Sequence, residues 1–548
     1  MPYKIFSLLF IHSILLILSW QSSSSVFLVF FAFIPIFYCL NSPPETHNEK
    51  VKIYIFSFLA VFFWVYFTLY WIKPVSPEMH FALTFLSSVL LYIPYLVSFY
   101  MRFTMKRSFL VSLLSFIFTW IIIEICHDLN LLLFPYLTLG HVLAGIPELI
   151  QWYECTGVIG GTVWIFLINS GIYLLASSAV KNKNIADRIV KIKYLIFLLF
   201  IFVLPALTSL YLQSNQSNMN LTTYNAVSVH TNADVYHYKY EVEPEVLLDS
   251  YLKLTLSKLD TTKNNIVVWP ENALTNELYL NSLDSSRAIV RLKDKLCNNS
   301  KNVLITGAIV KEKVERPDSN LYLPNILYDI ETQSYFRHYN SALLIRGDSL
   351  TLIKTKKRLI PFSEKIPSQK IFSSLVSLFP NLADLRFSSM EDEYPVFTAD
   401  NNNIRTDPVI CYGSAFSSFV ADETLNSRSN LLVFIMNEGW MKSVKAYNHF
   451  NWFAVCRSIE NRRMLVKSSN EGMSAIINEK GEVEKSAIGS KADVLTNEIR
   501  INENYTFFTR YHTSIYMSLL IVGFLYIFSQ FLIAGNKELF RRKHRKQV

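Results

Sequence analysis

The chain has 548 residues, of which 51% are hydrophobic and 17% are charged, and its mean hydropathy is +0.26. Ordinary globular proteins carry about 25% charged residues, so the composition excludes a wholly soluble protein and requires lipid around a large part of the chain. The net charge of +9 does not indicate nucleic-acid binding, because many lysines and arginines lie in short segments beside apolar runs, where membrane topology signals occur.

The spacing of cysteine and histidine argues against two further classes of protein. None of the six cysteines or eleven histidines forms a CxxC pair or an HExxH sequence. We therefore expect no disulfide framework, no metal site and no cofactor. The cysteines are Cys39, Cys126, Cys155, Cys297, Cys411 and Cys456.

Long apolar runs predict membrane-spanning helices, which need about 20 mostly apolar residues each. The runs lie at 4–20, 25–41, 52–72, 81–100, 108–125, 158–180, 194–213 and 513–534. The first run resembles a signal peptide in position, but the sequence QSSSS after it lacks a small-residue cleavage site. We therefore expect it to be retained as the first of eight spans.

Basic residues in the short connections predict the orientation of these spans, since lysine and arginine concentrate on the cytoplasmic side. Segment 128–157 contains three acidic residues and no lysine or arginine. With eight spans, the basic segments share one side, so both termini are expected in the cytoplasm. The basic tail could also serve as a nucleic-acid arm, but a membrane anchor explains it better. The basic segments are Arg102, Lys106 and Arg107 after the fourth run, Lys181, Lys183, Arg188, Lys191 and Lys193 after the sixth, and Lys537, Arg541, Arg542, Lys543, Arg545 and Lys546 in the tail.

The segment between the seventh and eighth runs is polar and punctuated by short β-branched runs. Such runs alternate with helical stretches such as 446–464, which predicts an α/β domain built on buried strands. We expect residues 1–213 to hold the first seven spans, 214–510 to form this extracytoplasmic domain, and 511–548 to form the eighth span and tail. The expected strand segments are 265–270, 302–310, 407–412, 430–437 and 474–483.

Three segments place reactive side chains directly after expected strands. Glu271 lies in WPEN, Cys411 ends the run of VICY, and Lys356 begins a K-x-x-L-x-P-F-x-E sequence that ends at Glu364. Each residue alone is consistent with ordinary structure, as a solvated glutamate, a solvated lysine or a small buried cysteine. Together they form a nucleophile, a base and a fixed cation, which suffice for acyl transfer.

The order of these residues resembles the nitrilase superfamily, and the added membrane spans resemble the bacterial apolipoprotein N-acyltransferases. Further segments agree with that family: YNSALLI with Asn340, NEGW with Trp440, residues 457–477, and the membrane segment 139–161. The resemblance implies an αββα sandwich beside a platform of membrane helices.

The resemblance also implies a role for each site residue. A free thiol has a pKa of about 8.5, so Cys411 needs a base, expected to be Glu271. Lys356 and the main-chain N–H of Tyr412 are expected to stabilise the tetrahedral oxyanion. The supporting or substrate-binding residues are expected to be Glu364, Tyr412, Asn340, Trp440 and Trp269.

The substrates and location also follow from the resemblance. A phospholipid would donate its acyl chain to Cys411, and the α-amine of a diacylglyceryl-cysteine at a lipoprotein N-terminus would accept it. The expected location is the bacterial inner membrane, with the α/β domain on the periplasmic side. Residues 371–379 could form an interfacial lid or an ordinary core helix, and the sequence favours neither.

The chain departs from the family's pattern at three positions, and other functions stay open. The family usually has glutamate two residues after the nucleophile, where this chain has Gly413; it also has Glu438 for aspartate and Ser363 for glycine. A membrane-tethered amidase would use the same triad with water as acceptor. A lipoprotein-binding scaffold would have lost catalysis, and a transporter would use a central charge such as Glu124.

Overall fold

A computed structural model gives the fold as two compact units. One unit comprises Met1–Tyr70, His80–Asn215 and Tyr511–Val548, and the other comprises Trp71–Met79 and Gln216–Arg510. The expected lid, 371–379, lies outside the described residues. The structure describes residues 2–132, 135–179, 185–214, 220–298, 301–315, 326–347, 349, 351–361, 363–364, 387–388, 396–399, 403–489 and 491–545.

The first unit consists of apolar helices. Within the described ranges, seven helices are long and apolar enough to cross a membrane. The first expected span forms a helix, Pro2–Ser19, whose apolar part Ile5–Ser19 is shorter than the others. The seven longer helices are Ser23–Asn41, His47–Thr68, Pro77–Thr104, Phe109–Asp128, Tyr153–Ser178, Arg188–Ser214 and Phe507–Ile533.

Glu124 is a buried carboxylate within this helical unit. It accepts hydrogen bonds from Trp120 Nε1 at 2.8 Å, from the Leu139 main-chain N–H at 2.8 Å and from Thr162 Oγ1 at 2.6 Å. These donors come from its own helix, from the short turn Leu139–Gly145 and from the helix that begins at Tyr153. Glu124 therefore ties these segments together, and the sequence feature that favoured a transporter has a structural explanation.

The second unit contains two large β-sheets and a two-stranded ribbon. The first sheet has the strand order β15-β1-β2-β4-β6-β5, with β3 paired to β4 and β7 to β6; the second has the order β10-β11-β12-β13-β14. The strands are β1 Asn220–His230, β2 Asn264–Val268, β3 Leu274–Tyr279, β4 Asn302–Val314, β5 Ile326–Asp329, β6 Ser334–Ile345, β7 Leu352–Thr355, β8 Phe397–Ala399, β9 Ile404–Thr406, β10 Val409–Ile410, β11 Leu432–Met436, β12 Leu465–Ser469, β13 Met473–Ile477, β14 Val483–Ile488 and β15 Asp493–Ile501.

The two large sheets pack face to face through their central strands. Ser228 Oγ on β1 donates to the Lys467 carbonyl on β12 at 2.8 Å, and Ser468 Oγ donates to the Val229 carbonyl at 2.7 Å. Strands β1, β2 and β4 run parallel, as do β10, β11 and β12, and their apolar runs are buried on both faces.

Helices cover the outer faces of this pair of sheets. Helices Pro244–Leu256 and Arg287–Lys295 contribute to the apolar core of the first sheet. Helix Val444–Asn461 packs against strands β12 and β13 of the second sheet. The layers are helix, sheet, sheet and helix, which confirms the expected αββα sandwich.

One expected strand is interrupted. Segment 474–483 was expected to be a single β run, but β13 ends at Ile477 and β14 begins at Val483. Asn478 Oδ1 accepts the main-chain N–H groups of Lys480 and Glu482, and Gly481 has a φ of +79°. An asparagine that bonds its own following backbone and a glycine at positive φ make a tight turn, so the segment is a hairpin.

Candidate active site

The strand ends of the sandwich position the three expected catalytic residues. Glu271 follows β2, Lys356 is the first residue after β7, and Cys411 is the first residue after β10. The main-chain N–H of Glu271 donates to the Met436 carbonyl at 3.3 Å. This bond joins the end of β2 in one sheet to the end of β11 in the other.

The Glu271 carboxylate is buried, and one of its oxygens accepts hydrogen bonds from two side chains. Lys356 Nζ lies 2.9 Å from Glu271 Oε1, and Asn340 Nδ2 donates to the same oxygen at 2.7 Å. Asn340 lies on β6, beside the strand that leads to Lys356. The structure therefore brings Glu271, Lys356 and Asn340 together.

Glu364 is the second carboxylate that forms an ion pair with Lys356. Its Oε1 lies 2.7 Å from Lys356 Nζ, and its Oε2 accepts the main-chain N–H of Ile360 at 2.8 Å. Burial acts to lower the pKa of Lys356, but the charges of Glu271 and Glu364 outweigh it and raise that pKa. Burial raises the pKa of Glu364, while Lys356 opposes the rise. Lys356 is therefore a permanent cation fixed between two carboxyl groups.

Cys411 occupies a strained turn between a strand and a helix. Its φ is +44°, which is rare for a residue with a side chain. Ser414 Oγ donates to the Cys411 carbonyl at 2.8 Å, and helix Ser417–Asn426 follows. Backbone strain of this kind is found where a structure holds a reactive side chain in a fixed direction.

The electrostatics of Cys411 favour a neutral thiol in the resting protein. Burial raises its pKa well above the ordinary value, and the carboxylates of Glu271 and Glu364 raise it further. The charge of Lys356 and, less strongly, the main-chain N–H of Asn437 lower it. The thiolate must therefore form during the reaction, with a base nearby to take the proton.

The remaining expected residues lie in different surroundings. Tyr412 is buried, with its ring 4.9 Å from the ring of Phe416. Trp269 lies in the apolar core and donates from Nε1 to Thr255 Oγ1 at 2.9 Å. It therefore anchors in the core the segment that leads from β2 to Glu271. Trp440 is partly exposed.

Trp440 belongs to an aromatic cluster. Its ring stacks on Tyr240 with centroids 5.9 Å apart and meets Tyr236 edge-on at 5.3 Å. Tyr236 Oη also donates to the Trp440 carbonyl at 2.7 Å. The cluster packs Trp440 between two tyrosine rings and binds its main chain, so the position of Trp440 is fixed.

Phe419 fills the space beside Gly413. A Cβ atom on Gly413 would lie 2.9 Å from Phe419 Cε1 and 3.1 Å from Val409 Cγ1. Both distances are shorter than ordinary van der Waals contacts. A side chain at position 413 therefore requires the Phe419 ring to move aside.

Gly413→Glu is expected to lower the stability of this chain. Overpacking costs about 1–3 kcal/mol, which lowers the unfolding temperature by about 2–12 °C on the scaling for domains of 150–250 residues. The double variant Gly413→Glu with Phe419→Ala should recover part of the loss. Thermal unfolding in detergent measures both. An unchanged melting temperature in the single variant would show that Phe419 yields readily.

Two groups near the site were not expected from the sequence. The main-chain N–H of Asn437 lowers the pKa of the Cys411 thiol, and Lys239 Nζ donates to the Glu271 carbonyl at 3.1 Å. Asn437 lies in the NEGW segment, which offered a signal. Lys239 lies in YHYKYE, which looks like an exposed loop. Among the described residues, no three histidine, cysteine or acidic side chains are grouped to hold a metal ion.

Comparison with known families matches both halves of the chain. A model described as the apolipoprotein N-acyltransferase N-terminal domain matches residues 12–171, and a carbon-nitrogen hydrolase model matches residues 240–505. The second range contains Glu271, Lys356 and Cys411.

Individual relatives match along most of the chain. An apolipoprotein N-acyltransferase from Geobacter metallireducens is 23% identical over 522 residues, which is 93% of this chain and 92% of the relative. One from Coxiella burnetii is 27% identical over 415 residues, 74% of each chain. A solved mutant of the Nesterenkonia AN1 amidase, from the nitrilase superfamily, is 12% identical and covers 51% of this chain and 92% of its own, with a TM-score of 0.31. The two family models and these relatives make the chain similar to apolipoprotein N-acyltransferases along most of its length, and it is a membrane-bound acyltransferase with a nitrilase-like domain.

Proposed function

We propose that the chain transfers an acyl group from a phospholipid to the α-amine of a diacylglyceryl-cysteine at a lipoprotein N-terminus, through a thioester on Cys411. The observation that carries this proposal is the buried group of Glu271, Lys356 and Glu364, whose charges all act on the Cys411 thiol. A thiol, a carboxylate and a fixed ammonium support a two-step acyl transfer without a cofactor.

In the first step, the Cys411 sulfur attacks an ester carbonyl of the phospholipid. Glu271 takes the thiol proton as the C–S bond forms, and Lys356 Nζ stabilises the tetrahedral oxyanion. The C–O bond then breaks, and protonated Glu271 gives its proton to the departing glycerol oxygen. The products are a lysophospholipid and an acyl thioester.

In the second step, the α-amine of the acceptor attacks the thioester carbonyl. Glu271 takes a proton from the amine, Lys356 again stabilises the oxyanion, and the C–S bond breaks. The sulfur recovers the proton from Glu271, and the acceptor leaves with a new amide. One base and one cation serve both steps, so loss of either residue should block both.

The proposed location is the bacterial inner membrane, with the α/β domain on the periplasmic side and both termini in the cytoplasm. The basic connections between spans support this orientation. Both substrates are anchored in a bilayer, and a chain that carries its own membrane helices meets them without extracting either from lipid.

A defined acceptor distinguishes acyl transfer from hydrolysis. Purified protein in detergent, given phospholipid and a synthetic diacylglyceryl-cysteine peptide, is expected to increase the peptide mass by one acyl chain. The same peptide with an acetylated α-amine should not react, because it has no nucleophile. Release of free fatty acid at equal rates with and without the peptide would instead identify a hydrolase.

A further inference from the structure

Lys239 is a buried lysine that touches the main chain of Glu271. It lies in the connection between β1 and helix Pro244–Leu256, and its side chain is fully buried. Nζ donates to the Glu271 carbonyl oxygen at 3.1 Å. Burial of a lysine side chain costs folding free energy unless its charge is paired or hydrogen-bonded. The contact with Glu271 is therefore expected to have a role.

The bond from Lys239 completes the fixation of the Glu271 backbone. The N–H of Glu271 is bound by the Met436 carbonyl, and a Cβ atom on Gly307 would lie only 2.6 Å from Glu271 Cα, so the chain passes tightly over that glycine. The next residue, Asn272, has a φ of +52°. Without Lys239, the carbonyl beside this strained residue would lose its donor, and the peptide group could rotate.

Lys239 also balances charge around the base. Glu271 and Glu364 place two carboxyl groups beside one ammonium group, that of Lys356. The charged groups that face Lys239 are Glu271 and Glu471, and the ring of Tyr240 lies 5.7 Å from Nζ. Burial lowers the pKa of Lys239 to about 7, while Glu271 and Glu471 oppose that fall.

We propose that Lys239 is a positioning residue for Glu271, which fixes the main chain of the base and faces it with a second positive charge. This role rests on the proposed function, because it acts through the proton transfers of Glu271. Both half-reactions depend on the direction of that carboxylate, and a displacement of about 1 Å in a catalytic group costs about 100-fold in rate.

Two variants separate the hydrogen bond from the charge. Lys239→Met removes both and is expected to slow thioester formation about 100-fold, with little change in the KM for phospholipid. Lys239→Gln offers a neutral amide donor on a side chain one atom shorter, so it should retain more of the rate than Lys239→Met. In both variants kcat should fall while the KM for phospholipid stays near the wild-type value, because the base is displaced and the substrate contacts are not.

The matched control is Lys263→Met, which removes a lysine that pairs with Glu498 at 3.1 Å beside the start of β2, at the other end of that strand from Glu271. It should leave the rate and the KM unchanged. A rise in KM that accounts for the loss in both Lys239 variants would overturn the inference, as would a rate loss explained wholly by a lower melting temperature. If wild type forms no thioester, the proposed function fails; if wild type forms one and Lys239→Met matches it, only this inference fails.

Discussion

Cys411→Ala is expected to abolish the acyl adduct that wild-type protein forms with phospholipid. Removal of a catalytic nucleophile lowers turnover by about 10⁴-fold or more, because no other group can carry the covalent intermediate. Intact-mass measurement after incubation with phospholipid should show a gain of one acyl chain in wild type. Hydroxylamine should remove that gain, since it cleaves thioesters.

Cys297→Ala is the matched control for this measurement. Cys297 is also a buried thiol of the α/β unit, but it lies in the apolar core, with Sγ 3.5 Å from the Ile345 carbonyl. This variant should form the adduct as wild type does. An adduct that persists in Cys411→Ala, or that resists hydroxylamine, would contradict a thioester at Cys411 and redirect the search to another nucleophile.

The sequence could point to the candidate site residues because each one lies where its local pattern is clearest. Glu271 and Cys411 follow short Val- and Ile-rich runs, which form β2 in one sheet and β10 in the other, and the packing of the two sheets brings these strand ends to one site. Lys356 and Glu364 lie only eight residues apart in one recognisable sequence. Asn340 depended on the family resemblance, since an asparagine within a strand carries no signal of its own.

Contacts between distant segments could not be predicted in this way. Lys239 and Glu271 are 32 residues apart, and nothing in a tyrosine-rich loop indicates that its lysine turns inward. The packing of Phe419 against Gly413 depends on how helix Ser417–Asn426 returns over the turn that holds the nucleophile. In the sequence, Glu124 looked like a functional charge. The three hydrogen-bond donors that explain its burial come together only in the folded structure. Each of these facts belongs to tertiary structure, which local patterns do not encode.

Glu271→Gln is expected to block both half-reactions while making the Cys411 thiol more acidic. Glutamine keeps the shape of the side chain and an oxygen for Asn340 and Lys356, but it cannot take a proton, so acyl transfer should fall by about 10²–10⁴-fold. The carboxylate of Glu271 is among the groups that raise the pKa of Cys411, and Lys356 lowers it. Removing that negative charge while Lys356 remains should therefore lower the thiol pKa and increase the thiolate fraction at a given pH.

The two effects have opposite signs. Because partial unfolding would also expose the buried Cys411 thiol, the comparison uses preparations whose melting temperature in detergent matches that of wild type. Alkylation of Cys411 by iodoacetamide, followed by peptide mass spectrometry between pH 8 and 10, should be faster in Glu271→Gln than in wild type. Glu364→Gln is the matched comparison, because Glu364 also raises the Cys411 pKa, but by less than Glu271 does. It should speed alkylation less and reduce acyl transfer less. Slower alkylation in Glu271→Gln would mean that Glu271 lowers rather than raises the thiol pKa, and retained acyl transfer would mean that another group is the base.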